Sequence, residues 1–474
     1  MRKSICVISF LLFLIYGVNF TSAQQKNAQD EYITVVGDSM KGSAINGETI
    51  REVYGHVILT QGKVIITCDK ATQYISRNDA LLEGNVIAKQ DTLTILTPRA
   101  TYYGFEKRSR SNSGLTLNDT KVILTADSGD YYYREDRAFF QGHVKLYDTA
   151  TTLTSKQLTY YKLQNRMVAV DNVKIVDSTN TIYADSLEHF RATRITFANK
   201  NVKITSASNN VIIYGGHLED YANKSYTFIN KNPLMIQIDS SVTKDTSNNL
   251  KDSVIVHSSV NIRIDTLLIR SDKMESFRDT LNRFEAKDSV RIVRGSFASV
   301  NDYSIYYRNQ STIITKKMGE TRPQPILWNE GTQMTGDSIA IHLVNNRIKF
   351  LEVINSAFLL SQNDLFKKRY DQISGEKIYL TFDSLGITST DVKGQVLSIY
   401  YLYNDSLGNG LTKSSSQTAL LKFENRKVTE VRMYGYPKSD YYPEGQVEGK
   451  ELSFTLPAYV IYSNRPTKES LLKQ

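Results

Sequence analysis

The chain has 474 residues, 41% hydrophobic and 23% charged, with 58 basic against 49 acidic residues and a formal charge of +9. That length allows roughly two to four domains with a substantial core, and 25 Gly with 8 Pro exclude a collagen-like or wholly disordered chain. Two cysteines, Cys6 and Cys68, and six scattered histidines exclude a disulfide scaffold and a cysteine-based zinc module.

At the N-terminus, Arg2 and Lys3 precede an apolar run from Ile5 to Ile15, and Thr21-Ser22-Ala23 follows as a small-residue site. Charged start, short apolar middle and small-residue end predict a signal peptide, residues 1–23, cleaved after about Ala23. Removing 23 residues with two basic groups from 474 at +9 leaves 451 residues at +7, with Cys68 as the remaining cysteine. No later segment resembles a stop-transfer run, so the mature chain is expected to be exported and soluble.

Next come Tyr32-Ile33-Thr34-Val35-Val36, an uncharged edge-strand candidate, and Gly42-Ser43-Ala44-Ile45-Asn46-Gly47-Glu48-Thr49, which has the spacing of a phosphate-binding loop. Glu48 stands where that loop needs Lys, and no strand–helix context precedes it, so the match is a decoy.

From there a 29-residue repeat organises the chain. The phrase Cys68-Asp69-Lys70-Ala71-Thr72-Gln73-Tyr74 returns so that its terminal aromatic advances by 29 each time: Tyr74, Tyr103, Tyr132, Tyr161, Phe190. Gly55-His56-Val57, Gly84-Asn85-Val86, Ser113-Gly114-Leu115, Gly142-His143-Val144, Asp171-Asn172-Val173 and Lys200-Asn201-Val202 run in phase, as does the apolar column Ile66, Ile95, Leu124, Leu153, Ile182. Alternation such as Val64, Ile66, Cys68 against Lys63, Ile65, Thr67 is a strand period. The Tyr and Phe content fits it too. Each unit then holds two or three short strands, the chain is nearly all β, and repeats stacked one strand apart place equivalent residues about 4.8 Å from each other.

The phrase loosens after residue 253. Ser271-Asp272-Lys273-Met274, Asp302-Tyr303, Gly336-Asp337-Ser338-Ile339, Gly375-Glu376-Lys377-Ile378 and Gly449-Lys450-Glu451-Leu452 read as further copies. Ser240 to Ser253 reads as a polar loop or hinge and Ser414 to Gln417 as another loop. The expected organisation is therefore residues 24–239, a polar hinge at 240–253, a divergent second β region at 254–460 and a C-terminal tail at 461–474. The expected edge strands lie near Tyr32 to Val36 and Leu452 to Leu456.

Gly84-Asn85-Val86 with Cys68-Asp69-Lys70-Ala71 and Tyr74, echoed by Ala126-Asp127 and Ala184-Asp185, resembles the OstA-like family, the lipopolysaccharide-transport proteins of the LptA type. The resemblance spans about residues 44 to 221, and 254 to 456 more loosely. It implies an elongated OstA/LptA-like β-jellyroll of stacked 29-residue repeats, whose apolar groove carries lipopolysaccharide acyl chains across the periplasm towards the outer membrane. It also implies OstA-fold partners at the inner and outer membrane, joined through edge strands, with head-to-tail self-association. The chain is longer than one such module, and no membrane barrel is expected within it.

Read from the residues alone, Ile66, Ile95, Leu124, Leu153 and Ile182 with Tyr74, Tyr103, Tyr132, Tyr161 and Phe190 form interior ladders that could line a lipid-binding trough. Plain core packing is the alternative. Lys107, Arg108 and Arg110 could meet phosphates or be a solvated loop. His56 and His143 stand in one column, too far apart in a stack to share a metal, so no metal or cofactor is expected. Asp69, Asp127, Asp185, Asp272 and Asp337 recur at one point of each unit, a structural signature rather than an active site, so no catalytic residue is named. The reading is a non-enzymatic glycolipid carrier with no nucleic-acid partner. The alternatives are a β-helical polysaccharide-acting enzyme and a structural surface or adhesin scaffold.

Overall fold

The computed structural model describes residues 32–473 apart from 149, 207–209, 246–258, 345–346, 384–385, 405–406 and 425–426; the expected signal peptide lies outside the described residues. The chain divides into two compact units, residues 1–109 and 110–474, and the same bent strand builds each.

In the first unit, strands Glu48–Gln61, Val64–Tyr74, Asp79–Gln90 and Leu93–Tyr103 form an antiparallel meander. Each strand is interrupted near its middle: the register slips between Tyr54 and Val57 and between Glu83 and Val86. The slip has a backbone cause. Gly84 and Asn85 both take left-handed conformations, φ 74° and 43°, and two such residues in succession bend the strand as a bulge does. The half-strands on either side of the corner form the two halves of one bent antiparallel sheet, named sheets A and B. Sheet A ends at the turns after Tyr74 and Tyr103, and sheet B at the turns after Gln61 and Gln90.

The repeated Asp explains why the corner is fixed. Asp69 Oδ2 accepts from Asn85 Nδ2 at 2.9 Å, and a Cβ on Gly84 would lie 2.3 Å from that same oxygen. Hence the Gly, and hence the 29-residue column of Asp. Strand, turn, returning strand and second turn complete one period, as from Val64 to Leu93. A repeat is therefore two bent strands of a meander, and equivalent residues sit on alternate strands, about 9.6 Å apart rather than 4.8 Å. The expected phosphate-loop decoy is a hairpin turn, Asn46 and Gly47 joining Ser39–Ile45 to Glu48–Gln61.

The second unit continues the pattern. Its paired bent strands include Arg137–Tyr147, Thr152–Tyr161, Arg166–Val176, Asn180–Phe190, Ile195–Ser206 and Val211–Tyr221. Corners recur at Gly142-His143, Asp171-Asn172, Lys200-Asn201, Asp288-Ser289, Asn355-Ser356 and Gly394-Gln395, all with positive φ. His143 Nδ1 lies 2.7 Å from Asp127 Oδ2, and Asn201 donates to Asp185 at 2.9 Å. The column histidines are thus corner residues.

Several expectations are corrected. Of the polar hinge at 240–253, residues 240–245 belong to strand Leu234–Asp245, paired through to strand Ser259–Arg270, and the rest lies outside the described residues. Ser414 to Gln417 lies inside strand Leu407–Glu424. Gly449-Lys450-Glu451-Leu452 is not a repeat, and Leu452 to Leu456 is not an edge strand: a 3-10 turn occupies Glu451–Ser453, and the last strands are Lys427–Tyr434 and Lys438–Tyr442.

The chain after Tyr442 turns back over the outer face of sheet B. Gln372 binds both the Phe454 carbonyl and the Leu456 amide, Gln333 brackets Val460 and Tyr462, and Arg270 donates twice to the Leu471 carbonyl. Leu456 packs with Phe358, Leu360, Ile399 and Tyr401, while Leu471 packs with Leu268, Ile326 and Trp328. Sheet B is covered on both faces there, so Ile326-Leu327-Trp328 is buried without interruption. This is why the alternation, and with it the repeat, fades after residue 253.

Candidate functional site

In each unit the bent strands enclose an apolar trough, lined by a row of directly opposed residues. In the first unit the row is Val35, Leu59, Ile66, Ala88, Ile95. In the second it runs Leu124, Leu146, Leu153, Ile175, Ile182, Ile204, Ile213, Met235, Ile269, Ile292 without a polar member. The aliphatic ladder read from sequence is in this row, every second rung of it. Ile66, Ile95, Leu124 and Leu153 are buried; Ile182 is half-buried.

The aromatic ladder is on the other face. Tyr74 and Tyr103 in the first unit and Tyr132 and Tyr161 in the second are half-buried on the outward face of their strands, with the guanidinium carbons of Arg77, Arg108, Arg137 and Arg166 lying 4.2, 4.2, 4.0 and 4.4 Å from their ring centroids. Phe190 stands beside them, half-buried edge-on to Phe197. The interior column is one residue earlier: Gln73, Tyr102, Tyr131 and Tyr160 are 5%, 0%, 2% and 6% exposed. A one-residue offset reverses the face of a strand, and adjacent aromatics such as Tyr102-Tyr103 and Tyr160-Tyr161 left the parity ambiguous in sequence.

Gln73, Tyr102 and Tyr160 of that interior column reach across the trough, opposite the corners, and meet polar groups from the ends of sheet B. Tyr102 Oη donates to Gln61 Oε1 at 2.5 Å, and Gln61 Nε2 donates to the Gly104 carbonyl at 3.0 Å. Asn78 and Gln73 hold the amide and carbonyl of Ile33 in the same way. In the second unit the latch is ionic: Arg191 Nη1 lies 2.9 Å from Asp119 Oδ2, and Tyr160 Oη donates to that oxygen at 3.1 Å. Burial pushes the Asp119 carboxyl up, but the Arg191 hydrogen bond and the Lys121 and Val122 amides outweigh it and hold the group below its usual range. None of these contacts is visible in the repeat, because Asp119 and Arg191 are 72 residues apart and belong to different columns.

The phosphate candidates are engaged elsewhere. Arg108 pairs with Glu106 at 2.7 Å and Arg110 faces Asp130 at 3.6 Å, while Lys107 is a turn residue with φ 48°. Among the described residues no group of three or more His, Cys, Asp and Glu could hold a metal ion, and no helix is long and apolar enough to cross a membrane.

Residues 32–185 match the family described as OstA-like protein. Among solved structures, the chain is similar to LptH of Pseudomonas aeruginosa, described as the LptA homologous periplasmic component of the conserved lipopolysaccharide transport device. That match has 16% identity over 36% of this chain and 84% of that one, with a TM-score of 0.12. No curated protein matches. The resemblance read from the corner and strand phrases is thus shown over residues 32–185 of this nearly all-β chain.

Proposed function

We propose that the protein is a non-enzymatic carrier that shields the acyl chains of lipopolysaccharide, or a related glycolipid, and passes it along a bridge through the periplasm to the outer membrane. The observation that carries this reading is the unbroken interior row from Leu124 to Ile292. An acyl chain needs a continuous apolar surface, and a polar rung would interrupt it. The OstA-like match over residues 32–185 supports the same reading.

Assembly follows from the edges. Strands Thr34–Val36 and Ser39–Ile45 pair with Glu48–Gln61 on one side, and Val36, Met40 and Ile45 are 51%, 54% and 54% exposed. An unguarded edge of this kind accepts another strand, from a second copy or from an OstA-fold partner at either membrane. Purified protein should bind lipopolysaccharide saturably, and a photo-crosslinker at Ile95 should label it while one at the turn residue Asn78 should not. Equal labelling at both positions refutes the interior path. Removing residues 24–40 should abolish end-to-end association; unchanged association would move the junction elsewhere. Protein that never carries extracted lipid would favour the scaffold reading.

A further inference from the structure

The trough is not equally closed along its length. Leu124, Leu146 and Leu153 are 1%, 3% and 4% exposed, and Met235 and Ile269 are 1% and 2%. Between them Ile175, Ile182, Ile204 and Ile213, four consecutive rungs of the same row, are all half-buried. Water therefore reaches the interior face of sheet B over the strands Arg166–Val176 to Val211–Tyr221 and is excluded on both sides of them.

The opposing wall of this window is polar. On sheet A the inward-facing row at the lip runs His189, Thr196, Asp220, Thr227, all half-buried. Two arginines stand at that lip. Arg191 closes the end nearest the buried Leu124 to Leu153 rungs through Asp119 and Tyr160. Arg278 donates to Thr227 Oγ1 at 2.7 Å and to Asp220 Oδ1 at 3.1 Å. The window thus sets an aliphatic wall against a lip carrying two guanidinium groups, Arg191 paired with Asp119 and near Asp148, and Arg278 paired with Asp220.

We propose that this window is the loading port for a phosphorylated, acylated amphiphile. The acyl chains lie on Ile175, Ile182, Ile204 and Ile213, and the phosphates take Arg191 and Arg278 from Asp119 and Asp220. Two observations fix the occupant. The half-buried rungs continue the buried row in both directions, so a chain entering there slides onto an existing apolar path. The arginines recognise phosphate by the same planar fork that holds the carboxylates. Exchange of Asp119 for phosphate also releases the latch between the two sheets, which couples headgroup binding to widening of the trough. This inference rests on the carrier function proposed above.

The test uses the full mature chain with two probes, bis-phosphorylated lipid A and its dephosphorylated form, presented in the same detergent. Photo-crosslinkers at Ile182 and Ile204 should label early in a time course, those at Leu124 and Met235 later, and those at the outward neighbours Tyr183 and Thr205 not at all. R191Q combined with R278Q should weaken binding of the phosphorylated probe about tenfold and leave the dephosphorylated one unchanged. D119N should load several-fold faster and raise hydrogen exchange at residues 118–123 and 191–194. Simultaneous labelling at all interior positions, or equal affinities in the double variant, overturns the port while leaving the carrier intact. No interior labelling anywhere overturns the carrier itself. Unchanged exchange in D119N shows that the ionic latch does not hold the lips together.

Discussion

A pair of substitutions in the interior row separates the trough from its window. Leu153 is 4% exposed and sits between Leu146 and Ile175 on the neighbouring strands. Leu153→Asp loses about 2–3 kcal/mol of apolar burial. It also buries a carboxylate; raising its pKa by about 3 units costs about 4 kcal/mol more at pH 7. The sum, about 6–7 kcal/mol, is comparable to the whole stability of an ordinary domain. Ile182 is in the same row, one strand beyond Ile175, but half-buried. There the carboxylate reaches water, so Ile182→Asp should cost only about 1–2 kcal/mol. Urea unfolding at pH 7 and pH 4.5 measures both. The Leu153→Asp penalty should shrink by about half at the lower pH, because the buried Asp folds protonated and its raised pKa contributes stability lost as pH climbs. Equal penalties at the two sites would refute the window, and a neutral Leu153→Asp would place the row in solvent.

Four further outcomes are expected. Gly142→Ala should destabilise by about 1–2 kcal/mol or more, since φ is 78° and the new Cβ lies 2.4 Å from Asp127 Oδ2; Gly42→Ala, with ordinary φ and nothing within 4 Å, should be tolerated in the same thermal melts. Burial pushes the Cys68 thiol up to about 11, so iodoacetamide at pH 8 should modify it only after urea is added. Desolvation pushes the Asp371 carboxyl up to about 7 although it accepts a hydrogen bond from the Tyr401 amide. A raised folded pKa contributes stability that is present below the ordinary carboxylate range and lost as pH rises through about 7, so Asp371→Asn should flatten that decline in a pH series of melts. Deleting residues 463–474 removes Leu471 from the cluster holding Trp328, the sole tryptophan; its emission should shift to the red, and an unshifted spectrum would mean that the tail does not cover that face.

The repeat was legible in sequence because each of its marks has a local cause. A left-handed pair takes Gly, Asn, Asp or His in at least one of its two positions, the Asp that holds it comes from the preceding strand, and a strand alternates its faces. Those requirements recur every two bent strands, so the all-β class, the corner residues and the aliphatic row of Ile66, Ile95, Leu124 and Leu153 could be read without coordinates. Face parity at Tyr160-Tyr161 could not, because both residues are aromatic and only the position of Arg166 over one ring and of Asp119 beside the other hydroxyl separates them. The latches and the window depend on contacts between the free ends of two sheets, across separations such as the 72 residues from Asp119 to Arg191. The tail is a similar case. Leu471 meets Leu268 only because the chain doubles back over sheet B, and that second covering turned the outer face apolar and erased the period by which the first half is recognised. Local geometry wrote the corners and the rungs into the sequence, and packing between distant segments decided where the trough closes and where it opens.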